Sequence, residues 1–382
     1  MKRSATPASF AIEHLQIAER DDAAKDLRAA RARRPNDPVV QLGSAFYDLR
    51  TGRDADVPSP PAAGAIEDLL LLDSIGLAQS HLGLHLDAYR YFGRARSLDR
   101  RRISSLVGHG LAAVRLGRYR EAKEAFRALK AFMNESEAFP RLVLIYTAFH
   151  QSRTASPEFL RQLIRESRQL VRELEEHTGR NAFSLLASGA IDGMTPLKTR
   201  KPTDRTPGAA ISQAVEEAGG LEKLPALFHE MAATLLMLDA PEQAREHALA
   251  ALKMKPESAL APSALALIAW NEGDDRTALD QIRTARDRAP HALIPLLTVI
   301  KIARRKVRNT SPFTPGEVVD VAMRLIEIGP DDPTLLIDAA EALIKYEEHA
   351  SAREALRLAL ERTVIDERPD IAERARSLLE SL

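Results

Sequence analysis

Two consecutive segments of this chain, residues 69–102 and 103–136, carry matching residue types at a step of 34 residues. Glycine recurs at two positions, a small alanine at a third, and a phenylalanine follows four residues after that alanine. A step of this length accommodates two helices and a turn, and units of this kind stack on one another. The step therefore predicts a chain built from repeated helical hairpins. The matched positions are Leu72 and Leu106, Gly76 and Gly110, Gly83 and Gly117, Asp87 and Glu121, Ala88 and Ala122, and Phe92 and Phe126.

The same step returns in the second half of the chain. Weaker units begin near residue 4 and cover about 293–330 and 333–366, and the final segment, 368–382, has the pattern of a single amphipathic helix. Residues 177–220, by contrast, mix Gly, Pro, Thr and basic residues without a sustained helical period. The pairs that mark the second region are Ala232 and Ala266, Ala244 and Ala278, Ala251 and Ala285, and Pro256 and Pro290.

The alternation of small and bulky positions resembles that of the tetratricopeptide repeat family, strongly over 69–136 and 225–292 and weakly elsewhere. The resemblance implies an all-α fold, a right-handed superhelical α-solenoid of helix–turn–helix repeats in two arrays. The predicted divisions are an N-terminal array at 1–176 with a loop at about 53–64, an irregular basic insert or linker at 177–220, and a C-terminal array at 221–382 that ends in a capping helix.

Composition is consistent with a folded chain and excludes cysteine chemistry. Apolar residues make up 45% and charged residues 28% of the 382 residues, which provides enough apolar material for a core. The chain has no cysteine, so disulfides, thiolate metal sites and cysteine nucleophiles are excluded. The formal net charge is zero, but residues 1–210 carry 33 Lys and Arg against 25 Asp and Glu. This asymmetry favours an acidic partner at the front half or head-to-tail contact between copies, or it reflects an ordinary solvated surface.

The N-terminal sequence does not have the pattern of a secretory signal. Its basic start is followed by a segment that Glu13 and His14 interrupt, so it contains no continuous apolar run. No stretch of the chain approaches about 18 uninterrupted apolar residues, the length needed to cross a bilayer. We therefore expect a cytoplasmic protein that does not contact a membrane.

The first helix of each tetratricopeptide repeat lines a concave groove, so the resemblance implies a partner-binding surface. This surface would be largely apolar with scattered polar groups, which suits an amphipathic helix or an extended peptide with hydrophobic anchors. Trp270, the only tryptophan, is the best anchor candidate, with burial against the neighbouring repeat as an equal alternative. The Lys and Asn with which one subtype of the family clamps carboxylate termini are absent. The implied groove residues are Asp73, Leu77, His81, Val107, Leu111, Arg115, His229, Leu236, Met237, Leu267, Trp270 and Asn271.

A search for catalytic and metal-binding patterns finds none that is complete. His229 and Glu230 begin like a zinc-protease motif, but alanine stands where the second histidine ligand is required. The pair Asp331 and Asp332 lies at a predicted turn, where solvation or helix capping explains it better than acid–base chemistry. No glycine-rich phosphate-binding loop is present. We therefore expect a protein that is not an enzyme and that holds no cofactor and no metal.

Two groups of basic residues are candidates for binding phosphate-rich ligands or nucleic acid. The group in the insert has no aromatic residue for base stacking, and the other lies at a helix C-terminus, where the helix dipole favours cations. Nucleic acid is therefore not the favoured partner. The basic patch consists of Lys198, Arg200, Lys201 and Arg205 in the insert and Lys301, Arg304, Arg305 and Arg308 on one helix face.

Three functions are compatible with these patterns. The leading hypothesis is a non-catalytic scaffold or adaptor that binds a peptide or amphipathic helix of another protein in the concave groove. The alternative is an accessory or regulatory subunit of an enzyme, such as a transferase, that contacts the enzyme through residues 177–220. The third is an enzyme whose catalytic groups the insert brings into the groove. Self-association into a homo-oligomer also stays open as a mode of partnership.

Overall fold

The computed structural model contains α-helices and short 3-10 helices and no strand in the residues that it describes. The all-α prediction is thereby confirmed for this part of the chain. None of the described helices combines the length and the apolar character needed to span a membrane. The described residues are 20–50, 61–132, 138–152, 155–195, 206–237, 239–256, 258–304, 313–366 and 368–382.

The chain divides into two compact units, residues 1–113 and 114–382. A 3-10 helix, Ala63–Ala65, precedes the third helix of the first unit, and the last three residues of the fifth helix belong to the second unit. The helices of the first unit are α1 (Arg20–Arg33), α2 (Pro38–Arg50), α3 (Leu69–His81), α4 (His85–Leu98) and α5 (Ile103–Leu116).

The second unit consists of fourteen further described helices and one 3-10 helix, Leu221–Lys223. These helices are α6 (Tyr119–Phe132), α7 (Ala138–Ser152), α8 (Pro157–Thr178), α9 (Ala182–Met194), α10 (Pro207–Ala218), α11 (Ala226–Leu236), α12 (Pro241–Met254), α13 (Leu260–Glu272), α14 (Asp275–Arg288), α15 (Leu293–Arg304), α16 (Pro315–Ile328), α17 (Pro333–Lys345), α18 (His349–Asp366) and α19 (Pro369–Glu380).

The α3–α4 hairpin shows why the 34-residue pattern forms a repeat. Gly83 has a φ of +76°, a left-handed conformation that glycine adopts without strain, and the chain reverses there between the two helices. Where the helices cross, Phe92 packs so close to Gly76 that an added Cβ would lie 3.1 Å from its ring. Ala88 is fully buried. The spacing of small and bulky residues that the repeats at 69–102 and 103–136 share therefore encodes the helix crossing.

Helices of the second unit pack in the manner of stacked hairpins. The two helices of a hairpin contact each other, as in the pairs α11–α12 and α13–α14. The first helices of successive hairpins also contact one another, in the series α9, α11, α13, α15 and α17. This contact pattern is that of a tetratricopeptide-like α-solenoid, and it confirms the fold predicted from the sequence.

The prediction of an irregular insert at 177–220 is wrong for most of its described residues. Helix α8 ends at Thr178, and α9 and α10 then pack against each other as another hairpin. The Asn181 side chain caps α9 by accepting hydrogen bonds from the backbone N–H groups of Phe183 and Ser184, at 2.9 and 3.2 Å. Thr206 caps α10 in the same way. Among the described residues of this segment, Thr206 and Pro207 are therefore the cap and the first residue of α10, and Gly189 packs closely against Pro207.

Two other predicted segments have different outcomes. Most of the predicted loop at about 53–64 lies outside the described residues, which resume at Pro61. The predicted C-terminal helix is present as α19, which packs against α17 and α18. It buries Ile371, Ala372 and Ala375, the apolar stripe expected of a helix that covers the preceding repeat.

Candidate functional site

A cavity of about 380 Å³ lies within the second unit, and we call it the α15 cavity. Its walls come from α15, from the first residues of α6, α8 and α17, from the end of α7 and from the residue before α19. A volume of this size falls within the range of pockets that bind small ligands or several side chains of a peptide. The α15 cavity is therefore the candidate site.

One wall of the α15 cavity is apolar. Leu293, Ile294 and Leu297 project from neighbouring turns of α15, and Phe159 of α8 and Leu335 of α17 extend the same surface. Leu293 is buried, whereas the other four are half-buried and retain surface that a bound group could cover. This wall can hold an apolar side chain or the aliphatic part of a longer one.

A second part of the cavity wall is formed by the turn before α17 and is fixed by hydrogen bonds to the start of α6. The backbone N–H of Arg120 donates to Oδ2 of Asp331 at 2.7 Å, and the N–H of Asp331 donates to the carbonyl of Gly117 at 3.0 Å. Arg118 donates from Nε to the carbonyl of Ile328 at 2.7 Å. These bonds join segments about 210 residues apart and hold Asp331 at the cavity.

Two adjacent carboxylates of this wall are desolvated. Oδ1 of Asp332 accepts hydrogen bonds from the N–H and the hydroxyl of Thr334, at 2.9 and 2.7 Å, so it caps α17 as predicted. Burial raises the pKa of Asp332, and it also raises the pKa of Asp331 against the opposing effect of the Arg120 N–H. Both carboxylates thus lie where a charge is poorly hydrated.

An aromatic cluster borders the cavity near the end of α7. Tyr119 stacks on the ring of His150 with the ring centroids 5.5 Å apart, and Tyr146 and Phe149 meet the same ring edge-on. The next residue, Gln151, lines the cavity, and its Oε1 is buried without a hydrogen-bond partner among the described residues. A buried amide oxygen of this kind offers an acceptor to a bound donor.

Basic side chains also reach the α15 cavity. Lys301 is exposed and lies near the end of α15, and Arg368 precedes α19. The Arg368 guanidinium donates two hydrogen bonds to Asp370, at 3.2 and 3.1 Å. Of the predicted basic patch, Lys301 is therefore at the candidate site. Arg304 ends α15, and its side chain lies outside the described residues, as do Arg305 and Arg308 and the whole group Lys198, Arg200, Lys201 and Arg205.

The implied groove residues of the first unit are not equivalent to one another. Leu77, His81, Val107 and Leu111 are half-buried and retain accessible surface. Asp73 is instead buried and accepts hydrogen bonds from the side chains of three residues at the start of the next hairpin. Its role is to join successive hairpins, which corrects its assignment to an open groove. The donors are Arg102, Ser104 and Ser105.

Three implied groove residues of the second unit are buried in the core. His229, Leu236 and Met237 are at most 4% exposed, so the expectation that they face a partner is wrong. His229 contacts His247 of the same hairpin and Leu221 before it, whereas Leu236 and Met237 belong to a core that includes residues of α7, α8 and α9. Leu267 and Trp270 are half-buried, and Asn271 is exposed.

Arg115 contacts a buried glutamate. Its Nη2 lies 3.0 Å from Oε2 of Glu230, whose other oxygen accepts a hydrogen bond from Ser258 at 2.6 Å and lies 3.4 Å from Lys255. Burial alone would raise the pKa of Glu230, but Arg115 and Lys255 lower it to about 2. In the incomplete protease-like sequence, His229 is thus a core residue and Glu230 forms a structural ion pair. Within the described residues, no three His, Asp or Glu side chains are grouped to hold a metal.

The α15 cavity could not be found from the sequence. Asp331 and Asp332 were visible as a carboxylate pair, but Tyr119, His150 and Gln151 carry no motif and lie far from them in the sequence. Their proximity depends on how the hairpins stack, which residue spacing within one repeat does not encode.

Comparison with known proteins identifies similar helical structures only. No family model and no curated protein matches this chain. A tetratricopeptide repeat protein from Parabacteroides merdae is 13% identical with a TM-score of 0.40, covering 74% of this chain and 91% of that one. A human IFIT1 dimer with m7Gppp-AAAA is 15% identical with a TM-score of 0.45, covering 99% of this chain and 91% of that one. The IFIT1 dimer with PPP-AAAA is 14% identical with a TM-score of 0.40, covering 94% and 91%.

Proposed function

We propose that this chain is a non-catalytic scaffold that binds a peptide or amphipathic helix of another protein, and that the α15 cavity receives an anchoring side chain of that partner. The observation that carries the proposal is the cavity itself, which half-buried apolar side chains and desolvated carboxylates line together. Covering apolar surface of this kind contributes about 1.5–3 kcal/mol for one large side chain. A few such anchors account for most of the affinity of peptide complexes.

The cavity walls do not carry the excess of positive charge that binding to a nucleic acid requires. The RNA-containing neighbours are IFIT1 complexes, and their ligands are a property of that protein. Here three carboxylates, Asp331, Asp332 and Asp338, and three basic residues line the cavity, so the charges of its walls are balanced. Nucleic acid remains an outcome that the experiment must distinguish.

The alternative, an enzyme subunit that contacts its enzyme through residues 177–220, ranks second. Helix α9 buries most of its residues, which leaves little of that helix for a partner. The exposed residues among those described in this segment include His177 and Arg180 before α9 and Ala209, Glu216 and Glu217 on α10.

A capture experiment with the purified full-length chain tests the proposal. The bait is compared with Leu297→Trp, which fills the α15 cavity, and with Leu249→Trp, a matched change at a leucine that is 54% exposed. We expect the wild type and Leu249→Trp to recover the same specific protein. Leu297→Trp should recover about tenfold less of it. Circular dichroism verifies that both variants are folded.

A photo-crosslinking amino acid at Lys301, on the exposed rim, gives a second readout that does not depend on filling the cavity. It should crosslink to the captured protein, whereas the same group at Leu249 should not. Recovery of RNA that ribonuclease releases, with no crosslinked protein, would overturn the proposal.

A further inference from the structure

Each carboxylate at the turn before α17 has one oxygen that accepts no hydrogen bond from the described residues. Asp331 uses Oδ2 for the Arg120 N–H, and Asp332 uses Oδ1 for Thr334. Oδ1 of Asp331 and Oδ2 of Asp332 receive no donor, and no ion pair within the described part of the chain includes either residue. An ionised carboxylate normally accepts several hydrogen bonds. Two acceptors at the cavity thus lack donors.

The surroundings of the two carboxylates favour a cationic ligand. Burial raises the pKa of Asp331, although the positive charges of Arg120 and Arg362 lower it. Burial also raises the pKa of Asp332, although the charge of Arg368 lowers it. These charges offset only part of the desolvation. A further cation in the cavity would stabilise both carboxylates in their ionised form.

Within the described part of the chain, the basic residues of the cavity walls form no ion pair with the two aspartates. Arg368 is bound to Asp370 through two hydrogen bonds, and Arg120 contacts Asp331 through its backbone N–H. Lys301 is exposed at the rim of the α15 cavity. A cationic group of a ligand would supply the ion pair that these residues do not form with the two aspartates.

The apolar wall selects the kind of cation. A lysine or arginine side chain has an aliphatic stem that packs on apolar surface while its charged end reaches polar groups. In this cavity the stem would cover Ile294 and Leu297 of α15. Gln151 offers one more acceptor without a partner, which suits the several N–H donors of an ammonium or guanidinium group.

We propose that the α15 cavity binds a lysine or arginine side chain of the partner, with the stem on the α15 wall and the charged end donating hydrogen bonds to Asp331 and Asp332. This inference rests on the proposed function and specifies the chemistry of its anchor. A neighbouring apolar residue of the partner would cover the half-buried surface of Phe159 and Leu335.

Fluorescence polarisation with labelled synthetic peptides tests the inference on the full chain. Each peptide has one fixed position with apolar residues around it, and the remaining positions are randomised. The residue at the fixed position is Lys, Arg, norleucine, Gln or Glu. Norleucine has the aliphatic stem of lysine without the ammonium group, so it isolates the charge. We expect the Lys and Arg series to bind about tenfold more tightly than the norleucine series, which corresponds to about 1.4 kcal/mol.

The variants Asp331→Asn and Asp332→Asn assign the effect to the two carboxylates. Asparagine keeps an oxygen for the Arg120 N–H and remains a good helix cap for α17, so the fold should persist. Each variant should remove most of the advantage of Lys over norleucine, whereas Asp280→Asn, at an exposed aspartate of α14, should leave it unchanged.

Three results would overturn the inference. Equal binding of the norleucine and Lys series would refute the cationic anchor. If that binding is lost in Leu297→Trp, the peptides still occupy the cavity and the proposed function is retained. Preference for Glu would do the same. Absence of binding in every series would also overturn the inference, and the capture and crosslinking experiment would then decide the proposed function by itself.

Discussion

Two buried carboxylates, Asp73 and Glu230, perform related tasks near the starts of the first helices of two hairpins. Asp73 accepts hydrogen bonds from Ser104 and Ser105 at 2.5 and 2.7 Å, and Glu230 accepts one from Ser258 at 2.6 Å. In both cases the donors precede or begin the next hairpin. The resemblance to tetratricopeptide repeats placed Asp73 on a groove because helical spacing defines a face. It does not tell whether the following hairpin covers that face.

A pair of buried histidines makes stability depend on pH. Nδ1 of His229 lies 2.8 Å from Nδ1 of His247, and Nε2 of His229 lies 3.0 Å from the carbonyl of Leu221. If Nε2–H donates to that carbonyl, Nδ1 of neutral His229 accepts the Nδ1–H of His247. Burial lowers the pKa of His247 to about 4 and also lowers the pKa of His229. Both rings are therefore neutral in the folded protein near pH 7.

This pair leads to a prediction about acid stability. The unfolded chain protonates His247 near pH 6.5, whereas the folded chain does so only near its pKa of about 4. The contribution of the neutral ring is complete above pH 6.5, and about 3 kcal/mol of it is lost as the pH falls from 6.5 to 4. Urea unfolding at a series of pH values should show this slope in the wild type.

The variant His247→Gln should flatten the slope in that pH range, even if it lowers stability at pH 7 through the lost hydrogen bond to His229. The matched variant His349→Gln, at an exposed histidine, should keep the slope of the wild type. A slope that is unchanged in His247→Gln would contradict the assignment.

At the scale of helices, the sequence was informative where a repeat is regular and misleading where it is not. The step through Gly83 and Phe92 placed α3 and α4 correctly, because close crossings require small residues at fixed positions. Residues 182–194 and 207–218 looked irregular because Asn181, Thr206 and Gly219 resemble loop residues. In the structure these three residues cap or end helices.

Two glycines within helices of the first unit allow a test of the close crossing. A Cβ on Gly108 of α5 would overlap the ring of Phe92, which is 1% exposed and cannot move into solvent. A Cβ on Gly93 of α4 would meet His109 at 3.5 Å, an ordinary contact. Gly→Ala in a helix otherwise stabilises by about 1 kcal/mol, whereas overpacking a core costs about 1–3 kcal/mol.

We therefore expect Gly108→Ala to lower the free energy of unfolding by about 1–2 kcal/mol, and Gly93→Ala to leave it unchanged or to raise it. Chemical denaturation of the two variants and the wild type measures this difference. Equal effects of the two substitutions would show that helix propensity, not the contact with Phe92, decides the result.

At the scale of the whole molecule, the site depends on contacts that no single repeat contains. Gly117 and Asp331 are bonded through the backbone, and Arg120 and Asp331 are bonded through a carboxylate, although more than 200 residues separate them. Apolar periodicity predicts which residues of a hairpin are buried by its own partner helix. It does not predict which turns of distant hairpins meet, and so the fold was accessible from the sequence while the α15 cavity was not.

The last helix permits a test of how far stability propagates along the second unit. Ala375 of α19 is fully buried, and α19 packs against α17 and α18. Ala375→Asp would place a carboxylate in that contact, and burying a charge without a partner costs more than a terminal helix contributes. Detachment of α19 is the expected response, because terminal elements open most easily.

Hydrogen exchange should then accelerate about tenfold or more in α17 and α18 while α3 and α4 keep the wild-type rates, since their core lies in the first unit. The neighbouring variant Ser377→Asp, at an exposed position of α19, should change none of these rates, and acceleration throughout the chain in Ala375→Asp would mean that the two units unfold as one.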